Sequence, residues 1–120
     1  MENKKRVLVV DDEPRILRFV STSLRLAGFD VTTTTSGEEA LNLAQSQKPD
    51  IMLLDILMLP VSGFQVLEQL RAFSRMPVIV FSARREVAEK AVREGATDYI
   101  VKPFIPEELV KKIRSIFDAS

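Results

Sequence analysis

Residues 7–14, which read VLVVDDEP, combine the two features that decide the fold of this chain. The four apolar residues 7–10 are typical of a short strand that is covered on both faces of a parallel sheet. Asp11 and Asp12 follow directly. Because ligands of open parallel sheets bind at the carboxyl ends of strands, this acidic pair predicts a polar site at that edge.

Four further segments have the composition of strands, and polar residues follow three of them. The segments are residues 31–35, 51–54, 78–81 and 100–101. Asp55, Ser82 and Lys102 follow the last three, whereas the first is polar enough to form a sheet edge. The carboxyl ends of parallel strands meet at one edge, so we expect these side chains to gather with Asp11 and Asp12.

Helical patterns lie between the predicted strands. An apolar stripe after the first strand is followed by Gly28, which suits the end of a helix. Ser36 and Glu39 have the spacing of a capping box for a second helix. Ser62 and Gln65 are candidates to cap a third.

The last two helices complete a regular alternation. The fourth covers roughly residues 87–94 and has mostly alanine and valine as apolar anchors. Pro106 opens the fifth, whose basic residues Lys111, Lys112 and Arg114 are predicted toward its C-terminal end. Five strand–helix repeats with short loops predict an α/β domain, a doubly wound parallel sheet with helices on both faces.

Composition limits the chemistry of this chain. Its 120 residues fit a single domain, which we place at 1–120. The 17 basic and 17 acidic residues leave no nucleic-acid footprint, and the absence of cysteine and histidine excludes disulfides and zinc sites built on them. No stretch approaches the ~20 apolar residues of a membrane span, so we expect a cytoplasmic chain without membrane contact.

Oxygen ligands without histidine or cysteine suit Mg²⁺. We assign Asp12 and Asp55 as direct ligands and Asp11 as a ligand through water. A carboxylate that faces a metal can attack phosphorus, which makes Asp55 the candidate nucleophile. Lys102 and Ser82 can then contact oxygens of a transferred phosphoryl group.

Each of these residues has a simpler interpretation when it is taken alone. An aspartate such as Asp11 or Asp12 after a strand is often only a helix N-cap, and Ser82 is a cap or turn residue on the same reasoning. Lys102 alone is a surface lysine, and Tyr99 is by default a half-buried core aromatic. Only the joint placement at strand ends favours a functional site.

Four segments together resemble the receiver domain of two-component response regulators. They are VLVVDDEP (7–14), IMLLDILMLPVSG (51–63), VIVFSA (78–83) and GATDYIVKPF (95–104). Their order and spacing are specific, and the resemblance covers nearly the whole chain. It implies a flavodoxin-like fold with five helices and a five-stranded parallel sheet in the order 2-1-3-4-5.

The resemblance implies a role for each residue of the predicted site. Asp55 would be the phosphorylated residue. Asp11 and Asp12 would hold Mg²⁺ together with Asp55, and Leu57 would lend its backbone carbonyl to the metal. Lys102 would contact the phosphoryl group.

The resemblance also implies a conformational switch. Ser82 would be the switch hydroxyl, and Tyr99 would be the aromatic ring that moves inward when this hydroxyl is drawn to the phosphoryl group. The peptide bond between Lys102 and the next residue would be cis. Three further positions flank the site: Ala83, Arg84 and Pro103.

One loop departs from the family pattern. Proline usually stands four residues after the phosphorylated aspartate, whereas Pro60 stands five residues after Asp55. Gly63 keeps its usual distance, and Ser62 replaces the acidic residue that commonly precedes this glycine. The path of the loop between Leu57 and Gly63 is therefore left open.

The resemblance implies a phosphorylation-dependent signalling switch that modifies only itself and has no turnover substrate. A sensor histidine kinase would donate to Asp55, and the output surface would lie on the fourth helix, fifth strand and fifth helix. Asp98 and Lys112 resemble residues of regulators that form homodimers through this surface, although Asp118 stands where a basic residue is frequent. The remaining expected partner is a downstream protein or a C-terminal effector domain, because the sequence reads as a free-standing receiver or an excised N-terminal module.

Three alternatives compete with this interpretation. A flavin-binding protein of flavodoxin type needs a hydroxyl- or glycine-rich loop after the first strand, where Asp11 and Asp12 would repel phosphate. A phosphatase of the haloacid dehalogenase type needs an Asp-x-Asp pattern there, which residues 7–13 lack. A degenerate receiver that serves as a phosphorylation-independent interaction module is encouraged only by the shifted Pro60.

Overall fold

The computed structural model describes residues 4–119; residues 1–3 and 120 of the predicted domain lie outside this range. Strands and helices alternate through it. The strands are β1 (Arg6–Val10), β2 (Asp30–Thr34), β3 (Ile51–Asp55), β4 (Val78–Ser82) and β5 (Asp98–Val101). The helices are α1 (Pro14–Leu26), α2 (Gly37–Gln47), α3 (Gly63–Arg71), α4 (Arg85–Arg93) and α5 (Pro106–Ala119).

The five strands form one parallel sheet in the order β2-β1-β3-β4-β5, which confirms the predicted fold class. In the register, Val10 pairs with Leu54 across β1 and β3, and Asp55 pairs with Phe81 across β3 and β4. The residues that follow or close these strands therefore stand side by side. The polar β2 lies at a sheet edge, as its composition predicted.

The sheet separates two apolar layers. Side chains on one face pack with α2, α3 and α4, and side chains on the other pack with α1 and α5. Successive residues of a strand point to opposite faces, so Tyr99 packs on the first layer and its neighbour Ile100 on the second. The central strands β3 and β4 are buried along their whole length, which explains their continuous apolar sequences.

Helix ends mostly follow the capping signals of the sequence. Ser36 caps α2, where its Oγ accepts a hydrogen bond from the Glu39 N–H at 3.1 Å. Gly28, at φ +98°, stands two residues after the end of α1. One prediction was wrong: α5 continues to Ala119, so its three basic residues lie in the middle of the helix and its last turn has none.

Helix α4 is anchored by small buried side chains. Its buried residues are Ala88 and Ala91, whereas α1 buries Leu17, Val20 and Leu24. Small side chains remove little apolar area from water and therefore stabilise a helix less. Within residues 4–119, none of the helices has the length and apolar character needed to cross a bilayer.

Candidate functional site: an acidic cluster at the carboxyl edge

Three carboxylates meet at the carboxyl edge of the sheet. Asp11 directly follows β1, and Asp55 ends the neighbouring strand β3. One carboxyl oxygen from each of Asp11, Asp12 and Asp55 lies within 4.8 Å of the others. Asp11 and Asp55 are buried, whereas Asp12 is exposed. The fold thus brings the three predicted aspartates together and leaves one of them open to solvent.

Lys102 places its ammonium group beside this cluster. Its Nζ lies 3.1 Å from Asp11 Oδ2 and 3.6 Å from Asp55 Oδ1. Its backbone N–H donates to the Ser82 carbonyl at 2.9 Å, which fixes the end of β5 against β4. The bond from Lys102 to Pro103 is cis, as expected. One ammonium group therefore faces two buried carboxylates.

The environment of Asp55 disfavours its ionised form. Desolvation by burial is the largest cause, and repulsion from Asp11 is the next; together they raise the pKa of Asp55 to about 6. Lys102 and the Leu57 N–H, 3.4 Å from Asp55 Oδ1, act in the opposite direction. A cluster of carboxylate oxygens that lacks balancing positive charge is the donor set that a hard cation such as Mg²⁺ fits.

Asp11 is held by two hydrogen bonds. Its Oδ1 accepts from the Glu13 N–H at 2.9 Å, and its Oδ2 accepts from the Lys102 ammonium at 3.1 Å. The first contact belongs to the turn that leads into α1, as in the simpler interpretation of this aspartate. The second joins it to the site. Asp11 is therefore a turn residue and a member of the cluster at once.

The loop between β3 and α3 reaches back to the acidic cluster. The Leu59 N–H lies 3.4 Å from Asp12 Oδ2, and the bond from Leu59 to Pro60 is cis. The sequence predicted neither feature, because the contact uses a backbone atom and leaves no mark on the side-chain pattern. Leu57 and Leu59 are exposed, whereas Met58 between them is buried and anchors the loop.

The start of α3 has no room for a side chain at Gly63. A Cβ atom there would overlap the Asp55 carbonyl oxygen and lie 2.6 Å from Ile56 Cα. The Gly63 N–H also donates to the Ile56 carbonyl at 2.9 Å. Ser62 and Gln65 form the expected capping box, with bonds of 2.9 and 3.2 Å. The first turn of α3 therefore packs directly on the backbone that carries Asp55.

Ser82 ends β4 next to Asp55, but its hydroxyl is engaged in its own turn. The side chain is buried, and its Oγ accepts a hydrogen bond from the Arg84 N–H at 3.1 Å. Ala83 and Arg84 are exposed. The Arg84 guanidinium pairs with Glu86 at 2.7 Å, so its carboxylate partner lies outside the acidic cluster.

Tyr99 lies on β5, away from the carboxylates. It pairs with Val80 in the sheet register, which is two residues before Ser82. Its hydroxyl accepts a hydrogen bond from Arg85 Nη1 at 3.0 Å. Sequence reasoning did not single out Arg85, because an arginine at the start of an amphipathic helix has no distinctive spacing.

Comparison with known proteins assigns this geometry to a family. Residues 7–114 match the response regulator receiver domain. The chain belongs to this family. Receiver domains are regulatory phosphoryl-accepting switches of two-component signalling and bind Mg²⁺ at an acidic pocket, and the three aspartates of this receiver form such an acidic cluster. The flavin-binding and phosphatase alternatives are thereby set aside.

Curated relatives of this receiver are regulators about twice its length. The probable transcriptional regulator ycf27 of Guillardia theta is 42% identical over 118 residues, which cover 97% of this chain and 46% of that protein. The alkaline phosphatase synthesis transcriptional regulatory protein PhoP of Bacillus subtilis is 38% identical over 119 residues, which cover 97% and 50%. The chain therefore spans about half the length of these relatives.

Solved receiver structures have the same fold. The chemotaxis protein CheY4 of Vibrio cholerae superposes with a TM-score of 0.85 at 32% identity, covering 94% of this chain and 98% of that chain. The receiver domain of the Francisella response regulator 1452 gives a TM-score of 0.90 at 31% identity, covering 97% and 98%. These similarities confirm the flavodoxin-like architecture that the sequence predicted.

Proposed function

We propose that Asp55 of this receiver accepts the phosphoryl group of a sensor histidine kinase, with Mg²⁺ held by the acidic cluster. We propose further that the receiver domain extends over residues 1–120. The observation that carries the proposal is the meeting of three carboxylates and one ammonium group at a single edge of the sheet. Phosphoryl transfer needs such a set, because its chemistry is mostly positioning and charge compensation.

Asp55 supplies the nucleophile in this proposal. One of its oxygens forms a bond to phosphorus while the P–N bond of a phosphohistidine breaks, and the leaving imidazole keeps the electron pair of that bond. The product is an acyl phosphate on Asp55. The attacking group must be ionised, and the Lys102 ammonium at 3.6 Å favours that form against the effect of burial.

The proposed metal ligands are Asp12 and Asp55 directly, Asp11 through water, and the backbone carbonyl of Leu57. A bound Mg²⁺ would offset the negative charge of the carboxylates and of the phosphoryl group. Asp12 is the exposed member of the cluster, so it offers the open side from which a cation can enter. Its contact with the Leu59 N–H, at 3.4 Å, is long enough to be exchanged at little cost.

Lys102 and Ser82 are proposed to bind the transferred phosphoryl group. The Lys102 ammonium already lies between two carboxylates and can compensate the charge that arrives on Asp55. The Ser82 Oγ accepts a hydrogen bond from the Arg84 N–H through one lone pair. The proton of the Ser82 hydroxyl is therefore available for a phosphoryl oxygen. We propose that this new bond couples Asp55 to Tyr99 and so to the surface formed by α4, β5 and α5.

The test is intact mass spectrometry after incubation with acetyl phosphate and Mg²⁺. The receiver should gain the mass of one phosphoryl group, and Asp55→Asn should not. Asp30→Asn is the matched control, because Asp30 is an exposed aspartate at the amino end of β2, away from the carboxyl edge. This variant should be phosphorylated like the wild type. Unmodified wild-type protein would instead support the degenerate receiver that acts as an interaction module.

We also propose that phosphorylation promotes a homodimer through α4, β5 and α5, and that the kinase and an effector domain or downstream protein are the other partners. Charged residues of this surface are already paired within the chain: Lys112 Nζ lies 3.4 Å from Asp98 Oδ2. Exchange of such pairs between two chains would give the dimer its register. Sedimentation that stays monomeric at all concentrations of the beryllofluoride-bound protein would contradict the dimer. The cytoplasmic location stays a prediction.

A further inference from the structure

Tyr99 is flanked by two cationic side chains. The Arg85 guanidinium carbon and the Lys112 ammonium nitrogen each lie 6.0 Å from the centroid of its ring. Arg85 also donates a hydrogen bond to the Tyr99 hydroxyl at 3.0 Å, so this one residue holds both the ring and its polar end. Lys112 is tied to Asp98, which makes Arg85 the more direct restraint on Tyr99.

We propose that Arg85 is a positioning residue that fixes Tyr99 in its present half-buried place and thereby opposes the phosphorylated state. The inference rests on the proposed function, in which Ser82 and Tyr99 rearrange when Asp55 is modified. It assigns to Arg85 the restraint that this rearrangement must break. Loss of the restraint makes the switch easier to trigger.

A short stretch of backbone connects Arg85 to the Ser82 hydroxyl. Arg84 donates its N–H to the Ser82 hydroxyl, and Arg85 is the next residue and the first of α4. Any movement of the Ser82 hydroxyl toward Asp55 therefore disturbs the turn from which the Arg85 side chain extends. Arg85, Tyr99 and Lys102 also line one common cleft of about 420 Å³. Lys102 is thus common to this cleft and to the acidic site.

Arg85 is an unfavourable choice for the helix that it begins. The N-terminus of a helix carries partial positive charge, which disfavours a cation in the first turn. The N-cap residue of α4 makes no side-chain capping bond, and the adjacent Glu86 pairs with Arg84. The contacts with Tyr99 offset this local cost. A residue that weakens its own helix while it holds a neighbouring strand has the properties of a restraint that can be released.

The size of the effect follows from linkage. A contact made only in the unmodified conformation stabilises that conformation by some factor. It must lower, by the same factor, the affinity of any ligand that favours the other conformation. One exposed charge-assisted hydrogen bond with a cation–π contact corresponds to about a threefold to tenfold change in an equilibrium constant. Beryllofluoride with Mg²⁺ serves as the probe ligand, because it imitates a phosphoryl group on an aspartate.

The experiment compares beryllofluoride affinity, in excess Mg²⁺, of the full chain and its variants. Tyr99 is the only tyrosine, and the chain has no tryptophan, so intrinsic fluorescence follows this single side chain. Arg85→Gln should bind beryllofluoride about three to ten times more tightly and should show greater acrylamide quenching before ligand is added. Arg93→Gln is the matched control: it removes an exposed arginine from the last turn of the same helix and should behave as the wild type.

A double-mutant cycle identifies the route of the effect. In a Tyr99→Leu background, which lacks both the ring and the hydroxyl, Arg85→Gln should leave the affinity measured by calorimetry unchanged. Three outcomes would overturn the restraint but leave the proposed function standing. They are equal affinity of the wild type and Arg85→Gln, equal effects of Arg85→Gln and Arg93→Gln, and a full effect of Arg85→Gln in the Tyr99→Leu background. A wild-type chain that binds no beryllofluoride would overturn the proposed function and the restraint with it.

Discussion

Charge does not balance among the side chains of the acidic cluster. The buried carboxylates Asp11 and Asp55 share the ammonium group of Lys102, and the exposed Asp12 adds a third negative charge to the cluster. The Coulomb attraction of one lysine cannot compensate the desolvation of two carboxylates and their mutual repulsion, which is why the pKa of Asp55 stands near 6. The uncompensated negative charge of the unmodified site thus lowers the stability of the folded protein. A bound cation can offset this charge.

Stability of the metal-free protein should therefore fall as pH rises from about 4 to about 6. The pKa of Asp55 is raised from 3.8 to about 6, so the stabilising contribution of its protonated form is complete below the unfolded value and lost as pH rises through the folded one. The loss is at most about 3 kcal/mol. Urea unfolding in EDTA over this pH range measures it. Asp55→Asn should lack this component, and parallel profiles of the two proteins would contradict the prediction.

Replacement of Lys102 should destabilise the protein most when no metal is present. Lys102→Ala leaves Asp11 and Asp55 without their cation, and we expect a loss of about 2 kcal/mol at pH 7 in EDTA. Mg²⁺ should restore a larger part of the thermal stability in this variant than it adds to the wild type. Lys111→Ala, which removes an exposed lysine of α5, is the control. Equal Mg²⁺ stabilisation of all three proteins would count against the cluster as the metal site.

The strands and helices were predictable because their signals are side-chain patterns. Buried strands read as apolar runs, and Ser36, Ser62 and Pro106 marked the starts of helices where the structure has them. The family resemblance then supplied the strand order and the cis bond after Lys102, both of which the structure contains. Sequence patterns of this kind are reliable wherever a side chain's own burial or capping bond decides the conformation.

The β3–α3 loop and the Arg85 contact could not be predicted in the same way. The loop is determined by backbone contacts: the Leu59 N–H reaches Asp12, and Gly63 packs on the backbone at Asp55 and Ile56. Arg85 depends on the angle between α4 and β5, which no local pattern encodes. The strand pattern correctly predicted that the site residues gather at one edge. The hydrogen-bond partners of their side chains became known only from the three-dimensional structure.

Gly63→Ala should destabilise the protein by about 3 kcal/mol, because the new Cβ would overlap the Asp55 carbonyl and press on Ile56 Cα. Both neighbours are backbone and cannot rotate away. Gly28→Ala is the matched comparison: its surroundings are open, but its φ is +98°, so the cost should be about 1 kcal/mol. Chemical unfolding measures both. Only the Gly63 variant should also weaken Mg²⁺ binding, and similar costs for the two would refute the steric argument.

Stability should be unevenly distributed over the molecule. Helix α4 is anchored by Ala88 and Ala91, and its N-cap residue makes no side-chain capping bond. Its amides should exchange with solvent faster than those of α1, which buries Leu17, Val20 and Leu24. Hydrogen–deuterium exchange with mass spectrometry tests this comparison. Addition of Mg²⁺ and beryllofluoride should change exchange in α4 more than in α1, and identical protection of both helices would contradict the prediction.

The two apolar layers on either side of the sheet have a consequence for how a signal travels. Because β3 and β4 are fully covered on both sides, they act as a partition, and α4 and α5 belong to different compartments of the interior. A displacement cannot pass between these compartments through the middle of the molecule without unpacking it. The edge strand β5 contacts both compartments, since its consecutive residues Tyr99 and Ile100 insert one into each, as successive residues do in the other strands. A change at the carboxyl edge can therefore reach both apolar layers through β5, at the border of the sheet.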